Sequence, residues 1–276
     1  MTHGQTSATL APPSDPTAPV ISAQAITKRF RRKDQVVTAI TDVDLEVNQG
    51  EFVCIVGPSG CGKSTLLNMS AGLMEPSSGR LLFNGQTISG PNTSVGYITQ
   101  KDNLMPWHTV EGNIGMALHI RKMDRKAAKA RIAEMVEMVG LRGFEKSYPG
   151  ELSGGMRKRV TLARTLAYDP PVLLADEPFG ALDAQLKLVM QNELQRIWAE
   201  TGKTVIFVTH DIAEAVVLGD RVIVMSSRPG QIKVDRRIDL PRPRDVFKIR
   251  HQPGFVDLSE ELWDVLASDI HSGEDM

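Results

Sequence analysis

Cysteine is scarce, with only Cys54 and Cys61 in 276 residues. Two are too few for a disulfide framework or a zinc site, and such sparing use fits a reducing compartment. An excess of one charge is also missing. The chain carries 32 Lys and Arg against 33 Asp and Glu, a net charge of −1, which argues against nucleic acid as a partner held by bulk electrostatics. No apolar run approaches the roughly 20 residues needed to cross a bilayer, so any membrane role is expected to work through protein contacts. Met1–Pro19 is rich in Pro, Ser, Thr and Ala and lacks both a basic start and an apolar core. The first 20 residues therefore read as a disordered tail, not a signal peptide. No internal repeat is visible.

What the chain does have is a phosphate-binding motif in the right setting. Gly57-Pro58-Ser59-Gly60-Cys61-Gly62-Lys63-Ser64-Thr65 follows the apolar run Glu51–Val56 and opens the stretch Leu66–Met69. This is G-x-x-x-x-G-K-[ST] between a strand and a helix, the context that a P-loop requires. The glycines let successive N–H groups converge on phosphate oxygens, and the helix N-terminus adds its positive end. Lys63 is expected to reach the outer phosphates and the Ser64 hydroxyl to hold Mg²⁺.

Ile21–Phe30 and Val43–Val47 alternate with strand period, and Gly79–Phe83 runs into the turn pair Asn84-Gly85. These predict an antiparallel layer flanking the P-loop strand. After a strand at Val95–Thr99 the texture becomes helical. Ala128, Ile132, Met135, Val136 and Val139 share one helix face, so residues 101–165 or so read as a helical insertion. From Pro171 strands (Val172–Ala175, Thr204–Thr209, Arg221–Met225) alternate with helices (Gln185–Glu200, Ile212–Leu218), which argues for a parallel sheet covered by helices. Beyond Gly230 only a short helix around Ser259–Ala267 is discernible.

Val172–Glu177 is an apolar strand ending in two acids. Beside a P-loop strand, Asp176 is suited to hold the metal through water, and Glu177 to act as general base on the attacking water. The strand Val205–Val208 leads to Thr209 and His210, and parallel order puts His210 on the same edge, where it is expected to contact the γ-phosphate. Gln100 can reach the metal through its carbonyl oxygen. Ser153 is a natural N-cap to the helix Arg157–Tyr168, and Gly154 and Gly155 allow close approach of an anion. With one phosphate cradle already supplied, a second suggests a nucleotide presented by another subunit.

In this order the motifs resemble the ATP-binding cassette of ABC transporters over roughly residues 21–230. Walker A is Gly57–Thr65, the Q-loop Gln100, the signature Leu152–Met156, Walker B Val172–Glu177, the D-loop Gly180–Asp183 and the switch His210. The resemblance implies a P-loop ATPase core with a parallel sheet, a flanking antiparallel β layer and an inserted helical subdomain. A C-terminal extension, 231–276, would follow. It further implies Phe30 stacking on adenine, Asp183 beside the nucleotide, and a homodimer enclosing two ATP molecules between Gly57–Thr65 of one copy and Ser153–Gly155 of the other. The partners implied are integral membrane permease subunits and, indirectly, a solute-binding protein. The location implied is the cytoplasmic face of the membrane. Leu104–Trp107, Pro178–Asp183 and Ser226–Gly230 are similar to one branch, the ATPases of nitrate, sulfonate and taurine importers. The chain departs from that branch at Lys158, where Gln is usual, and Arg157-Lys158-Arg159 reads as a solvated helix face.

Two rivals fit the residues less well. A cassette acting on DNA or ribosomes usually shows a second cassette, coiled-coil or zinc insertions, or a strongly basic surface. A P-loop kinase has no use for Leu152–Met156. Two further expectations concern single residues. Cys61, at a helix N-terminus beside Lys63, should be a reactive thiol. Trp107, in the stiff segment Pro106-Trp107-His108, is expected to touch the permease rather than fold into the helical lobe.

Overall fold

The computed structural model describes residues 18–32 and 35–273. The first half contains β1 (Ile21–Arg32), β2 (Gln35–Val47), β3 (Phe52–Val56), α1 (Lys63–Ser70), β4 (Ser78–Phe83), β5 (Gln86–Thr87) and β6 (Val95–Ile98). Then come α2 (Val110–Ile120), α3 (Arg125–Met138), a 3-10 turn at Pro149–Glu151, and α4 (Gly154–Leu166). The chain continues through β7 (Val172–Asp176), α5 (Ala184–Thr201), β8 (Thr204–Val208), α6 (Ile212–Leu218), β9 (Arg221–Met225), β10 (Ile232–Arg237) and α7 (Pro253–Gly273).

The strands form two sheets. One is antiparallel, in the order β2-β1-β4-β5. Its β4–β5 connection uses Asn84 (φ 49°) and Gly85 (φ 74°), the pair of left-handed residues that a tight hairpin needs. The other runs β10-β9-β3-β8-β7-β6, with β9, β3, β8, β7 and β6 parallel and β10 antiparallel at the edge. Alternate residues of its central strands feed two separate cores. Phe52, Cys54, Val205 and Phe207 pack with the helices α2 to α6. Val53, Ile55, Ile206 and Val208 pack against α1 and the antiparallel sheet. Burial on both faces is why these strands read as unbroken apolar runs.

Helix starts are fixed locally. Thr109, Asp124, Ser153, Asp183 and Asp211 cap α2, α3, α4, α5 and α6 with side-chain oxygens, each satisfying donors that the first turn leaves free. At the C-terminus the structure departs from the sequence expectation. The helix near Ser259–Ala267 extends over Pro253–Gly273, and β10 precedes it as an edge strand. At the N-terminus, residues 1–17 of the expected tail lie outside the described residues. Val20 is buried and its N–H donates to Val47 O at 2.8 Å.

Candidate active site

Parallel order brings the carboxyl ends of β3, β6, β7, β8 and β9 to one edge, where loops rather than helices meet ligands. Out of β3 comes Gly57–Gly62, and α1 begins at Lys63. Gly62 has φ 105°, and a Cβ there would stand 2.2 Å from Ile40 Cγ2, so only glycine fits. Gly62 gives α1 no side-chain cap, leaving the helix start open to an anion. Lys63 is buried, and its ammonium donates to Gly57 O at 2.7 Å and Pro58 O at 2.9 Å. The loop is thereby closed around the charge.

Beside it, the Ser64 hydroxyl donates to Asp176 Oδ1 at 2.8 Å. Burial pushes the Asp176 carboxyl above its ordinary range, and the charge of Glu177 adds to this, while the Ser64 bond opposes it. Glu177 follows with φ 43°, a left-handed backbone in a non-glycine residue, of the kind that clusters at functional sites. Its N–H donates to Val208 O at 3.0 Å, so the bend is anchored to the end of β8. Glu177 Oε2 lies 3.2 Å from His210 Nδ1. Gln100 Nε2 and Glu177 Oε2 flank Gly180, 3.5 and 3.6 Å from the point where a Cβ would stand. The structure therefore gathers Lys63 with Ser64 and Asp176, and Glu177 with His210 and Gln100.

The remaining predicted residues lie elsewhere. Phe30 is exposed on β1 with the Lys28 ammonium 5.4 Å from its ring. Ser153 accepts from Met156 N at 3.3 Å. Would-be Cβ atoms on Gly154 and Gly155 meet Arg157, Leu182 and Leu186, around the Asp183-capped start of α5.

Two expectations are corrected. Cys61 is 1 % exposed, and burial pushes its thiol pKa up, outweighing the nearby Lys63 that pulls it down. The helix start and the lysine were visible in the sequence; the desolvation was not. Cys54 is also fully buried. A thiol titration should therefore find both cysteines slow in the folded chain, by about tenfold or more relative to the chain in denaturant. Rapid stoichiometric labelling of the folded chain would refute the burial argument. The second correction is Lys158, which is not on a solvated face. It is 4 % exposed, and its ammonium donates to Thr99 O and Gln100 O.

Residues missed by sequence reasoning hold the His210 loop. Lys187 reaches Asp211 Oδ2 at 2.8 Å, and the buried Glu214 accepts from Gln191 and Thr209. The run Asp211-Ile212-Ala213-Glu214 carried a helix-cap signal that could have found Asp211. Lys187, remote in sequence, gave no such signal.

The chain is similar to known proteins over most of its length. A family model described as "ABC transporter" matches residues 40–180. An uncharacterized ABC transporter ATP-binding protein of Methanocaldococcus jannaschii is 43% identical over 250 residues, covering 91% of this chain and 92% of its own length. An aliphatic sulfonates import ATP-binding protein of Bacillus cereus is 45% identical over 224 residues, covering 81% and 88%. A taurine import ATP-binding protein of Pelagibacter ubique is 41% identical over 233 residues, covering 83% and 88%. Among solved structures, a dimeric post-hydrolysis ATP-binding cassette bound to ADP and Pi superposes with TM-score 0.70 at 31% identity, covering 80% of this chain and all of that one.

Proposed function

The chain belongs to the ABC transporter ATP-binding family, and from that premise we propose that it is the ATP-hydrolysing subunit of an importer, driving a separate permease. The observation that carries this reading is the meeting of Lys63, Ser64, Asp176, Glu177 and His210 at one sheet edge. ATP lies with its phosphates on Gly57–Thr65: Gly57, Pro58, Ser59, Gly60, Cys61 and Gly62 supply the loop, and Lys63 faces the outer phosphates. Phe30 stacks on the adenine through its exposed ring face. Ser153, Gly154 and Gly155 of a second copy cover the nucleotide, with Asp183 alongside. The solved dimer with ADP and Pi supports this arrangement.

The donor set also suits Mg²⁺. Ser64 and Asp176 put two oxygens together, one on a carboxylate partly withdrawn from water, and Gln100 can add a carbonyl oxygen. Hard cations take oxygen ligands of this kind. No cluster of three or more His, Cys, Asp or Glu suited to a metal occurs among the described residues, so phosphate and water would complete the shell. When bound, the ion neutralises charge on the phosphates.

Glu177 accepts a proton from the attacking water, and His210, whose Nδ1 lies 3.2 Å from Glu177 Oε2, contacts the γ-phosphate. Two copies close on ATP because each γ-phosphate bridges them, and hydrolysis removes the bridge. The cassette comprises residues 21–230, with a helical subdomain of about 101–165 that holds the permease, and 231–276 as an extension. No helix among the described residues is long and apolar enough to cross a membrane, and the subunit is peripheral, on the cytoplasmic face. The solute is a small anion or zwitterion of the nitrate, sulfonate or taurine kind, delivered by a separate binding protein. The sulfonate and taurine relatives support that class.

Trp107 tests the coupling. It is 70% exposed, so it is not part of the lobe's core. Trp107→Ala should leave the melting temperature of the isolated subunit nearly unchanged, within about 0.5 kcal/mol of stability. It should weaken co-purification with the permease by about tenfold and uncouple hydrolysis from uptake in reconstituted vesicles. Wild-type assembly and uptake with the Ala variant would overturn the docking role. Absence of ATP-dependent uptake by the wild-type complex for every anion and zwitterion of the class would overturn the solute assignment.

A further inference from the structure

The loop that carries Gln100 leaves β6, yet its hydrogen bonds go to α4. Lys158 Nζ donates to Thr99 O at 3.1 Å and Gln100 O at 2.6 Å, and pairs with Asp102 Oδ1 at 3.1 Å. One helical turn on, the Thr161 hydroxyl donates to Asp102 O at 3.1 Å. Arg164 donates to Asn103 O at 2.8 Å and Asp102 O at 3.1 Å. Arg157 Nε reaches Asp102 Oδ2 at 3.3 Å. Arg157, Thr161 and Arg164 recur at helical spacing, so one face of α4 grips residues 99–103. The same helix starts at Ser153–Gly155.

Lys158 is the buried member of this grip. An ammonium has three donors and no acceptor, and here three oxygens surround it. A Gln side chain has two donors and an oxygen that would face carbonyl oxygens, so it cannot satisfy the same cage. Burial lowers the lysine's pKa, and the Asp102 carboxylate works against that.

We propose that Lys158 is a positioning residue: by fixing the Thr99 and Gln100 carbonyls to α4, it makes Gln100 and the Ser153–Gly155 helix start one rigid piece. The inference rests on the roles proposed above for Gln100 and Ser153–Gly155. It means that Gln100 takes up its place beside Glu177 and Gly180 only as α4 does. A surface lysine performs no such task, and neither does a buried one whose partners all lie on its own helix.

The test is a double-variant cycle on the full chain, read as kcat and KM for ATP. Lys158→Met keeps an apolar stem and removes all three donors. It should lower kcat by about tenfold or more, up to the roughly 100-fold that a misplaced reacting partner can cost, with KM moving less than about twofold. Lys158→Arg, which keeps a buried cation, should recover most of the rate. Gln100→Ala should lower kcat similarly, and adding Lys158→Met to it should cost less than about twofold more, because the lysine acts through a group already removed. Losses that multiply would mean a merely structural lysine and would overturn the proposal. So would a Lys158→Met variant at wild-type kcat while Gln100→Ala is impaired. Wild-type kcat in Gln100→Ala would instead overturn the role of Gln100, and the inference with it. If Lys158→Met does not fold, Lys158→Gln takes its place in the same cycle, with the same criteria.

Discussion

Glu177→Gln should retain ATP affinity and lose at least about 100-fold in kcat, within the range that general base catalysis contributes. The amide fills the same volume and can keep a contact to His210, whose Nδ1 lies 3.2 Å from the present carboxylate. It cannot accept the proton of the attacking water. The left-handed backbone at this residue (φ 43°) and its N–H bond to Val208 O should be unaffected, so the variant should melt like the wild type. Because the bridging γ-phosphate is not cleaved, the variant should also run as a dimer in ATP and as a monomer in ADP on light scattering. A kcat above a third of wild type would remove Glu177 as the base. A monomer in ATP would remove the closure mechanism while leaving the base assignment standing.

Lys63→Ala should fail one step earlier, at binding. The ammonium bridges Gly57 O and Pro58 O from within the loop at 5% exposure, so its removal takes away both the brace and the charge facing the phosphates. Hydrogen bonds to charged groups are worth about 1.5–3 kcal/mol each, and losing two of them should weaken ATP binding by about 100-fold or more. Titration calorimetry measures this directly. Lys63→Met separates the two losses: it restores bulk beneath the loop but no charge, and should bind as poorly as Ala. If either variant binds ATP with wild-type affinity, Gly57–Thr65 is not the phosphate loop.

Much of the architecture was legible because its causes are local. The strands β3, β7 and β8 are buried on both faces, and the resulting apolar runs could be read without knowing their neighbours. The phosphate loop was legible because glycine spacing and a lysine at a helix start have few other uses. Strand β10 was not, since its residues alternate between half-buried and exposed and include Lys233, Asp235, Arg236 and Arg237, a composition that also suits a surface loop. Helix α7 was underestimated because Pro253-Gly254 at its start also suits a turn and its buried stripe is narrow, running through Phe255, the half-buried Leu258, Leu262 and Leu266 with Asp257, Glu260, Glu261 and Asp264 exposed beside it. Lys158 and Cys61 mark the deeper limit. In both cases the outcome was decided by atoms far along the chain. The carbonyls that draw Lys158 inward belong to residues 99 and 100, and the core that desolvates Cys61 includes Ile40 and Met225.

The fit of Gly62 against Ile40 links two parts of the chain that perform different tasks. Ile40 belongs to the antiparallel sheet, is fully buried, and touches no phosphate, yet its methyl group occupies the space where any larger residue at 62 would put its Cβ. The shape of the phosphate loop is therefore cast by a side chain outside it. Trimming residue 40 would not open position 62 to other residues, since φ 105° strains any side chain there whatever the space. A bulkier residue at 40 would push the loop off its glycine geometry, and a trimmed one would leave a void beneath the first turn of α1, loosening the grip on nucleotide without altering any residue that touches it. A random library selected for altered ATP affinity should accordingly return changes at residue 40 alongside those in the loop itself.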